Sequence, residues 1–161
     1  MSRYNSILFD AGMFIGALLR DDPRYTQART IVEAARRGDL SVCTTTGILS
    51  EVYAALTWIK AQPPHSPAEA GAAVRLLVEP PSEIEVLSDG LEASLKMLAL
   101  AEKYRLTARR IHDARHAATA LTSGITQVYT YDVEDWLVFK PDGIVIVGPV
   151  SSLLRISQKA E

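Results

Sequence analysis

Four acidic residues occupy positions from which their side chains could act together. Asp10 and Asp132 each come directly after a short apolar segment, and Glu51 and Asp113 lie near the beginnings of two segments with helical periodicity. If the apolar segments are parallel strands, their carboxyl ends meet at one edge of a sheet, and the helices that follow can begin at the same edge. We therefore expect the four carboxylates to converge.

Carboxylates that are held close together need a compensating positive charge, because like charges disfavour one another's ionised forms. A hard divalent cation with oxygen ligands supplies that charge, and Mg²⁺ or Mn²⁺ fits this set of side chains. Such a cation lowers the pKa of a bound water and neutralises charge that develops on a phosphoryl group. The residue types therefore indicate hydrolysis of phosphodiester bonds, which is the chemistry of a nuclease.

Each acid also has a purely structural interpretation. Asp10 could cap the short helix that follows it, Asp132 could be a turn residue, and Asp113 could be an acid favoured by the dipole in the first turn of its helix. Glu51 could be a solvated helix residue. Asp135, one helical turn after Asp132, could reach the same cation as a fifth acid.

The elements that must position these acids alternate between strand and helix. The predicted strands span residues 7–9, 40–44, 84–87, 128–130 and 144–147. The predicted helices span residues 13–19, 25–37, 46–60, 67–79, 89–104 and 111–123. This alternation predicts a three-layer α/β/α sandwich with a mostly parallel central sheet.

Local signals mark several helix boundaries. Asp22 with Pro23 is typical of a helix start, and Ser66 with Glu69 forms a predicted capping box. Gly124 is expected to end the alanine-rich helix over residues 111–123. A polar turn is expected to carry the acids at 132, 134 and 135.

Composition limits the classes of protein that the chain can belong to. It has 161 residues, of which 48% are apolar and 22% charged, with a formal net charge of -2. These values predict one domain over residues 1–161, with a core from about 6 to 150 and a short C-terminal tail, and they exclude a disordered chain or a polycation. The single cysteine, Cys43, excludes an intramolecular disulfide and a cysteine-rich zinc site. No apolar run is long enough to span a membrane, so a cytoplasmic location is expected.

Basic residues cluster before and within the third acidic segment. They are Lys103, Arg105, Arg109, Arg110 and Arg115. Such a patch suits the phosphates of an RNA, with Arg109, Arg110 and Arg115 as the candidate contacts, although phosphate contacts alone do not read sequence. An ordinary solvated helix face is the structural alternative.

Two histidines around Asp113 suggest a different chemistry. His112 and His116 are four residues apart with an acid between them, which imitates the helical HExxH arrangement of zinc hydrolases. The imitation is imperfect, because Asp replaces the longer Glu, and His65 is the one remaining histidine that could serve as a third ligand. Loss of activity on substitution of both histidines would favour zinc, whereas loss on substitution of Asp10 and Asp113 would favour magnesium or manganese.

The four acidic segments, taken together, resemble the motifs of PIN-domain ribonucleases, and most closely the VapC toxins of toxin-antitoxin pairs. ILFDAGMFIGALL resembles the first motif, with Asp10 as its acid, and TTTGILSEVYAAL the second, with Glu51. IHDARHAATAL resembles the third, with Asp113, and VYTYDVEDW the fourth, with Thr130 followed by Asp132. The order and spacing of all four motifs span essentially the whole chain.

The resemblance implies an endoribonuclease in which these four acids hold one or two Mg²⁺ or Mn²⁺ ions. It also implies products with a 5′-phosphate and a 3′-hydroxyl, a homodimer, and a small antitoxin protein that covers the acidic crevice. The helices over residues 46–60 and 68–78 are the expected surfaces for that contact. Gly12 departs from the family, which usually has a polar residue there. The alternative is therefore a weak or inactive PIN domain that binds RNA or a protein without cutting.

Overall fold

Five short parallel strands form the centre of the computed structural model, which describes residues 5–161. The strands are β1 (Ile7–Phe9), β2 (Val42–Thr45), β3 (Glu85–Leu87), β4 (Gln127–Tyr129) and β5 (Val145–Gly148). Their order across the sheet is β3-β2-β1-β4-β5, and every neighbouring pair is parallel. The expected α/β/α sandwich with a parallel sheet is confirmed.

Helices make the connections between the strands. They are α1 (Ala11–Leu18), α2 (Tyr25–Arg36), α3 (Thr46–Thr57), α4 (Pro67–Val78), α5 (Leu91–Lys103), α6 (Ile111–Thr122), α7 (Val133–Leu137) and α8 (Val150–Lys159). Short 3-10 turns span Ala108–Arg110 and Lys140–Asp142. No helix within residues 5–161 is long and apolar enough to cross a membrane.

The strands are apolar on both faces because helices cover both sides of a parallel sheet. Leu8 and Phe9 of β1 are fully buried, and the ring of Phe9 stacks on Tyr129 of β4 with a centroid distance of 5.3 Å. The small residues of α6 are also fully buried, at Ala114, Ala117, Ala118 and Ala120. Small side chains let this helix approach the sheet closely.

The strand order reverses direction between β1 and β4. The chain passes from β1 outward to β2 and β3, and then crosses to β4 and β5 on the other side. In open parallel sheets the crevice at such a reversal, outside the carboxyl ends of the strands, is where ligands bind. Asp10 follows β1 directly, and Asp132 begins the connection after β4, so both acids lie at this crevice.

Several predicted boundaries were wrong for local reasons. Helix α1 begins at Ala11, not at residue 13, because the Asp10 side chain caps it. Asp22 does not cap α2, which begins at Tyr25 without a side-chain cap, because the Asp22 carboxylate binds the backbone and guanidinium of Arg24 instead. The capping box of Ser66 and Glu69 is present as predicted.

Two short helices follow β4 and β5 in segments for which no helix was predicted. The polar turn after β4 contains α7, and the residues after 149 form α8. Helix α8 contributes to the crevice, because the Ser152 hydroxyl donates to the carbonyl of Thr130 at 2.6 Å.

Candidate functional site

Asp10 is the most deeply buried acid of the site, with 6% of its surface exposed. Its Oδ1 accepts a hydrogen bond from the backbone of Ala11 at 2.9 Å. Its Oδ2 accepts from the hydroxyl of Thr130 at 2.8 Å and from the indole Nε1 of Trp136 at 3.0 Å. A carboxylate offers about four lone-pair positions, so three hydrogen bonds orient Asp10 and leave capacity for one further ligand. The capping role and a role in the site are therefore compatible.

Thr130 joins Asp10 to the segment that carries Asp132. Its hydroxyl donates to Asp10 and accepts from the backbone N–H of Asp132 at 2.9 Å. The pKa of Asp132 is raised by burial and by the negative charges of Asp10 and Asp135, against the opposing effect of Arg24. Asp132 and Asp10 therefore lie in one electrostatic environment.

Asp113 lies in the first turn of α6, within range of the charges of Asp10 and Asp135. Its pKa is raised to about 7, first by burial and then by the negative charges of Asp135 and Asp10, with Glu51 adding to them. The electrostatic interaction with His116 acts in the opposite direction and lowers the pKa of Asp113. A carboxyl group that titrates near neutrality shows how much negative charge the surrounding residues concentrate there.

Glu51, on α3, pairs with a buried histidine. Nε2 of His116 lies 2.8 Å from Oε1 of Glu51, and only 2% of the His116 surface is exposed. Burial acts to raise the pKa of Glu51, but the hydrogen bond and charge of His116, helped by His112 and Arg115, lower it overall. The pairing with His116 therefore favours the ionised form of Glu51.

Two of the sequence-predicted acids, Asp113 and Asp132, have their pKa values raised by the charges of the neighbouring acids. Asp113 and Asp132 each experience the charges of Asp10, Glu51 and Asp135. Within residues 5–161, however, no three His, Cys, Asp or Glu side chains form a group that could hold a metal ion as they stand. The oxygen donors and the excess of negative charge fit a hard divalent cation. The side chains, however, are not close enough to one another to coordinate one in this conformation.

The PIN-domain sequence profile matches residues 7–136 of the chain, which include all five of these acids. The chain belongs to the PIN-domain family. Comparison of the sequence with curated proteins finds no significant match.

Solved structures share the fold of this PIN domain at low sequence identity. VapC20 of Mycobacterium tuberculosis, described as a sarcin-ricin loop cleaving toxin, is 19% identical with a TM-score of 0.68 over 89% of this chain and 100% of that one. A toxin-antitoxin complex from Klebsiella pneumoniae is 17% identical, with a TM-score of 0.60, and the match covers 90% of this chain and 100% of that one. VapBC2 of Rickettsia felis, bound to a DNA fragment from its promoter, is 11% identical, with a TM-score of 0.59, and the match covers 87% of this chain and 96% of that one.

The candidate RNA-binding arginines of the PIN domain fall into two environments. Arg109 and Arg110 lie on the exposed 3-10 turn before α6. Arg115 is instead paired with Asp89, with 2.6 Å between Nη2 and Oδ2. The third arginine is therefore fixed in position, whereas the first two are on the open surface.

Sequence reasoning missed three side chains that support the acids. Trp136 was not among the predicted site residues, yet its indole N–H donates to the Asp10 carboxylate. His116 was considered only as a zinc ligand, but its Nε2 binds Glu51, while His112 is exposed. Arg24, which acts on Asp132, was not considered. The sequence offered a signal for His116 alone, because it lies one turn after Asp113 on the buried face of α6 and can therefore face the same acids.

Proposed function

We propose that this PIN domain is a metal-dependent endoribonuclease and the toxin of a type II toxin-antitoxin pair. The observation that carries the proposal is that Asp10, fixed by hydrogen bonds at the carboxyl edge of the sheet, lies close enough to Asp113 and Asp132 for its charge to raise the pKa of both. Uncompensated carboxylates in a crevice are typical of a site that completes its charge balance with a cation. The shared fold of solved structures described as toxins adds support.

The four acids Asp10, Glu51, Asp113 and Asp132 would hold one or two Mg²⁺ or Mn²⁺ ions, with Asp135 as a further candidate. When bound, such an ion activates water and neutralises charge on the scissile phosphate. The surrounding side chains orient the acids, because Thr130 and Trp136 fix the carboxylate of Asp10 and His116 fixes that of Glu51.

A protein partner of the antitoxin type would find exposed apolar side chains after α3 and on α4. Trp58 and Ile59, which follow α3, are 58% and 84% exposed, and Leu76 on α4 is 62% exposed. Trp58 also lines a cavity of about 300 Å³ together with Ile15 and Leu19. An apolar surface of this kind suits burial against an amphipathic segment of another protein.

The homodimer and the cytoplasmic location remain predictions. Leu91, Leu95 and Leu98 are exposed on α5 at a spacing that places them on one face of the helix. This face is available for pairing with a second copy. Size-exclusion chromatography with light scattering measures the oligomeric state, and a protein that stays monomeric would contradict the dimer.

The enzymatic proposal is tested by incubating purified protein and its Asp113→Asn variant with mixed RNA and Mn²⁺. The wild-type protein is expected to cut RNA, EDTA to stop the reaction, and Asp113→Asn to reduce the rate by at least about 100-fold. Asp39→Asn is the matched control, since Asp39 is exposed and pairs with Arg37 ahead of β2, at the other end of the sheet. Cutting that survives Asp113→Asn would contradict the proposal.

A PIN domain that binds RNA without cutting it is favoured by one observation. A Cβ atom at Gly12 would lie 3.4 Å from Nη1 of Arg24, so an arginine occupies the space into which a side chain at position 12 would extend. RNA binding by the wild-type protein without cleavage in Mn²⁺ would support this second function.

A further inference from the structure

Arg24 and Arg115 are each fixed by an aspartate through the same two nitrogens, Nε and Nη2. Arg24 donates from Nε to Oδ1 of Asp22 and from Nη2 to Oδ2, both at 2.9 Å. Arg115 donates from Nε to Oδ2 of Asp89 at 2.7 Å, and its Nη2 lies 2.6 Å from the same oxygen. In both pairs Nε and Nη2 face the carboxylate, so Nη1 lies at the opposite edge of the guanidinium.

Each guanidinium packs against a glycine at the second residue of a helix. Gly12 is the second residue of α1, and Gly47 is the second residue of α3. A Cβ atom at Gly12 would lie 3.4 Å from Nη1 of Arg24. A Cβ atom at Gly47 would lie 3.0 Å from Cζ and 3.1 Å from Nη1 of Arg115. An added Cβ would therefore crowd the guanidinium of Arg115 at Gly47, whereas at Gly12 it would make ordinary contact with Arg24.

Neither Nη1 atom has a hydrogen-bond acceptor among residues 5–161. The Arg24 and Arg115 side chains are 35% and 38% exposed, and neither Nη1 is among the fully buried unpaired nitrogens of the described residues, so each Nη1 reaches solvent. Each Nη1 carries two N–H donors. A guanidinium already held by a carboxylate loses little freedom when it binds a ligand, and its planar donors suit phosphate oxygens.

The two arginines lie on opposite sides of the acidic crevice. The charge of Arg24 acts on Asp132, which follows β4, and the charge of Arg115 acts on Glu51, in the helix that follows β2. Strand β1, with Asp10 at its end, lies between β2 and β4. A backbone that crosses the crevice from one side to the other would therefore meet both guanidinium groups.

We propose that Arg24 and Arg115 form a clamp that binds two backbone phosphates of single-stranded RNA, one on each side of the acid cluster. That the RNA crosses the acids rests on the proposed function. Binding of RNA by the two arginines can be measured without cleavage. Phosphate contacts position a nucleic acid without reading its bases. The clamp therefore sets which bond lies over the carboxylates and leaves base selection to other residues.

The clamp is tested by the salt dependence of RNA binding. A fluorescent single-stranded RNA of about 12 nucleotides is titrated with protein in EDTA at roughly 50 to 300 mM NaCl, and a gel verifies that the RNA stays intact. The slope of log K against log [NaCl] is expected to lose about 0.7 in magnitude in Arg24→Gln or Arg115→Gln, and about 1.4 in the double variant. Arg24→Lys and Arg115→Lys keep the charge and are expected to keep the slope.

Arg37→Gln is the matched control variant. Arg37 also donates to an aspartate through Nε at 3.0 Å and Nη2 at 2.9 Å, but its partner Asp39 lies ahead of β2, away from the carboxyl ends of the strands. This variant is expected to keep the wild-type slope. If the Gln variants melt early, the arginine Nε–H signals of the wild-type protein are followed by NMR. Those of Arg24 and Arg115 are expected to shift with RNA while that of Arg37 does not.

The outcomes separate the clamp from the nuclease. Lost slope together with no RNA cutting in Mn²⁺ would retain the clamp and refute the nuclease. Cutting with unchanged slopes in both Gln variants would refute the clamp, and so would a wild-type protein that does not bind the RNA.

Discussion

The hydroxyl of Thr130 donates a 2.8 Å hydrogen bond to Oδ2 of Asp10, which lies 120 positions earlier in the chain. This contact crosses between β1 and β4 at the reversal of the strand order. It therefore fixes the innermost acid to the segment that supplies Asp132, and the geometry of the site depends on it.

Thr130→Val removes this hydrogen bond while it keeps the shape of the side chain. The buried Asp10 carboxylate loses one partner, so we expect a loss of about 1–3 kcal/mol in the free energy of unfolding and weaker binding of Mn²⁺. Urea unfolding and calorimetric titration measure the two effects. Thr119→Val is the control, because Thr119 is equally buried but bonds only to a carbonyl in its own helix. Equal Mn²⁺ affinity in the two variants would argue against an orienting role for Thr130.

The raised pKa of Asp113 makes the stability of the metal-free protein depend on pH. The pKa is 3.8 in an unperturbed carboxyl and about 7 in the folded protein. Between these values the folded protein binds more protons than the unfolded chain, so stability falls as pH rises through this window. Asp113→Asn removes the effect and is expected to stabilise the protein by about 1–3 kcal/mol near pH 8, allowing for solvent screening of a half-buried group.

Urea unfolding in EDTA at several pH values measures this gain, which should shrink toward pH 4 because the carboxyl of the unfolded chain is then taking up its proton as well. Asp39→Asn serves as the exposed control. A gain that is the same at every pH would contradict the raised pKa.

Substitutions of the two histidines distinguish a supporting role from a zinc site. His116→Leu leaves Glu51 without its 2.8 Å partner, and loss of such an orienting group typically lowers metal affinity by about 10–100-fold. His116→Gln retains a donor and should lose less. His112→Gln changes an exposed residue and should bind Mn²⁺ nearly as the wild type does. Activity that requires Zn²⁺ and disappears with either histidine would instead support a zinc hydrolase.

Gly148 connects the packing of β5 to the site. Its carbonyl accepts from the Thr130 N–H at 3.0 Å, and a Cβ atom there would lie 2.5 Å from Cε1 of Tyr129. Because that ring is stacked on Phe9, Gly148→Ala should cost about 1–3 kcal/mol. Gly71→Ala, in an open position within α4, should instead stabilise by about 0.5–1 kcal/mol. Thermal unfolding compares the two, and equal melting temperatures would contradict the predicted clash.

The sequence was sufficient to predict the sheet and the segments that carry the acids. The apolar runs of β1 and β4 and the alanines of α6 follow from burial on both sides of a parallel sheet, which leaves a strong local pattern. Segments of weaker pattern were predicted less well. Asp22 resembles a helix cap in sequence, but its neighbour Arg24 competes for the carboxylate, and only the fold decides which bond forms.

The partners of the acids were largely beyond sequence reasoning. The bonds of Thr130 and Trp136 to Asp10 join residues 120 and 126 positions apart, and that of His116 to Glu51 spans 65. No local periodicity encodes such pairs, because they arise where separate connections meet at the sheet edge. The packing of Arg115 against Gly47 could not be predicted from the sequence for the same reason.

Calorimetric titration of Mn²⁺ into the metal-free protein tests the central claim most directly, namely that acids from four segments serve one cation pocket. The wild-type protein should bind Mn²⁺, and Asp10→Asn, Glu51→Gln, Asp113→Asn and Asp132→Asn should each lower the affinity by about 10-fold or more, while Asp39→Asn should not. Absence of binding in the wild type, or affinity that depends on one acid and ignores the other three, would contradict the claim.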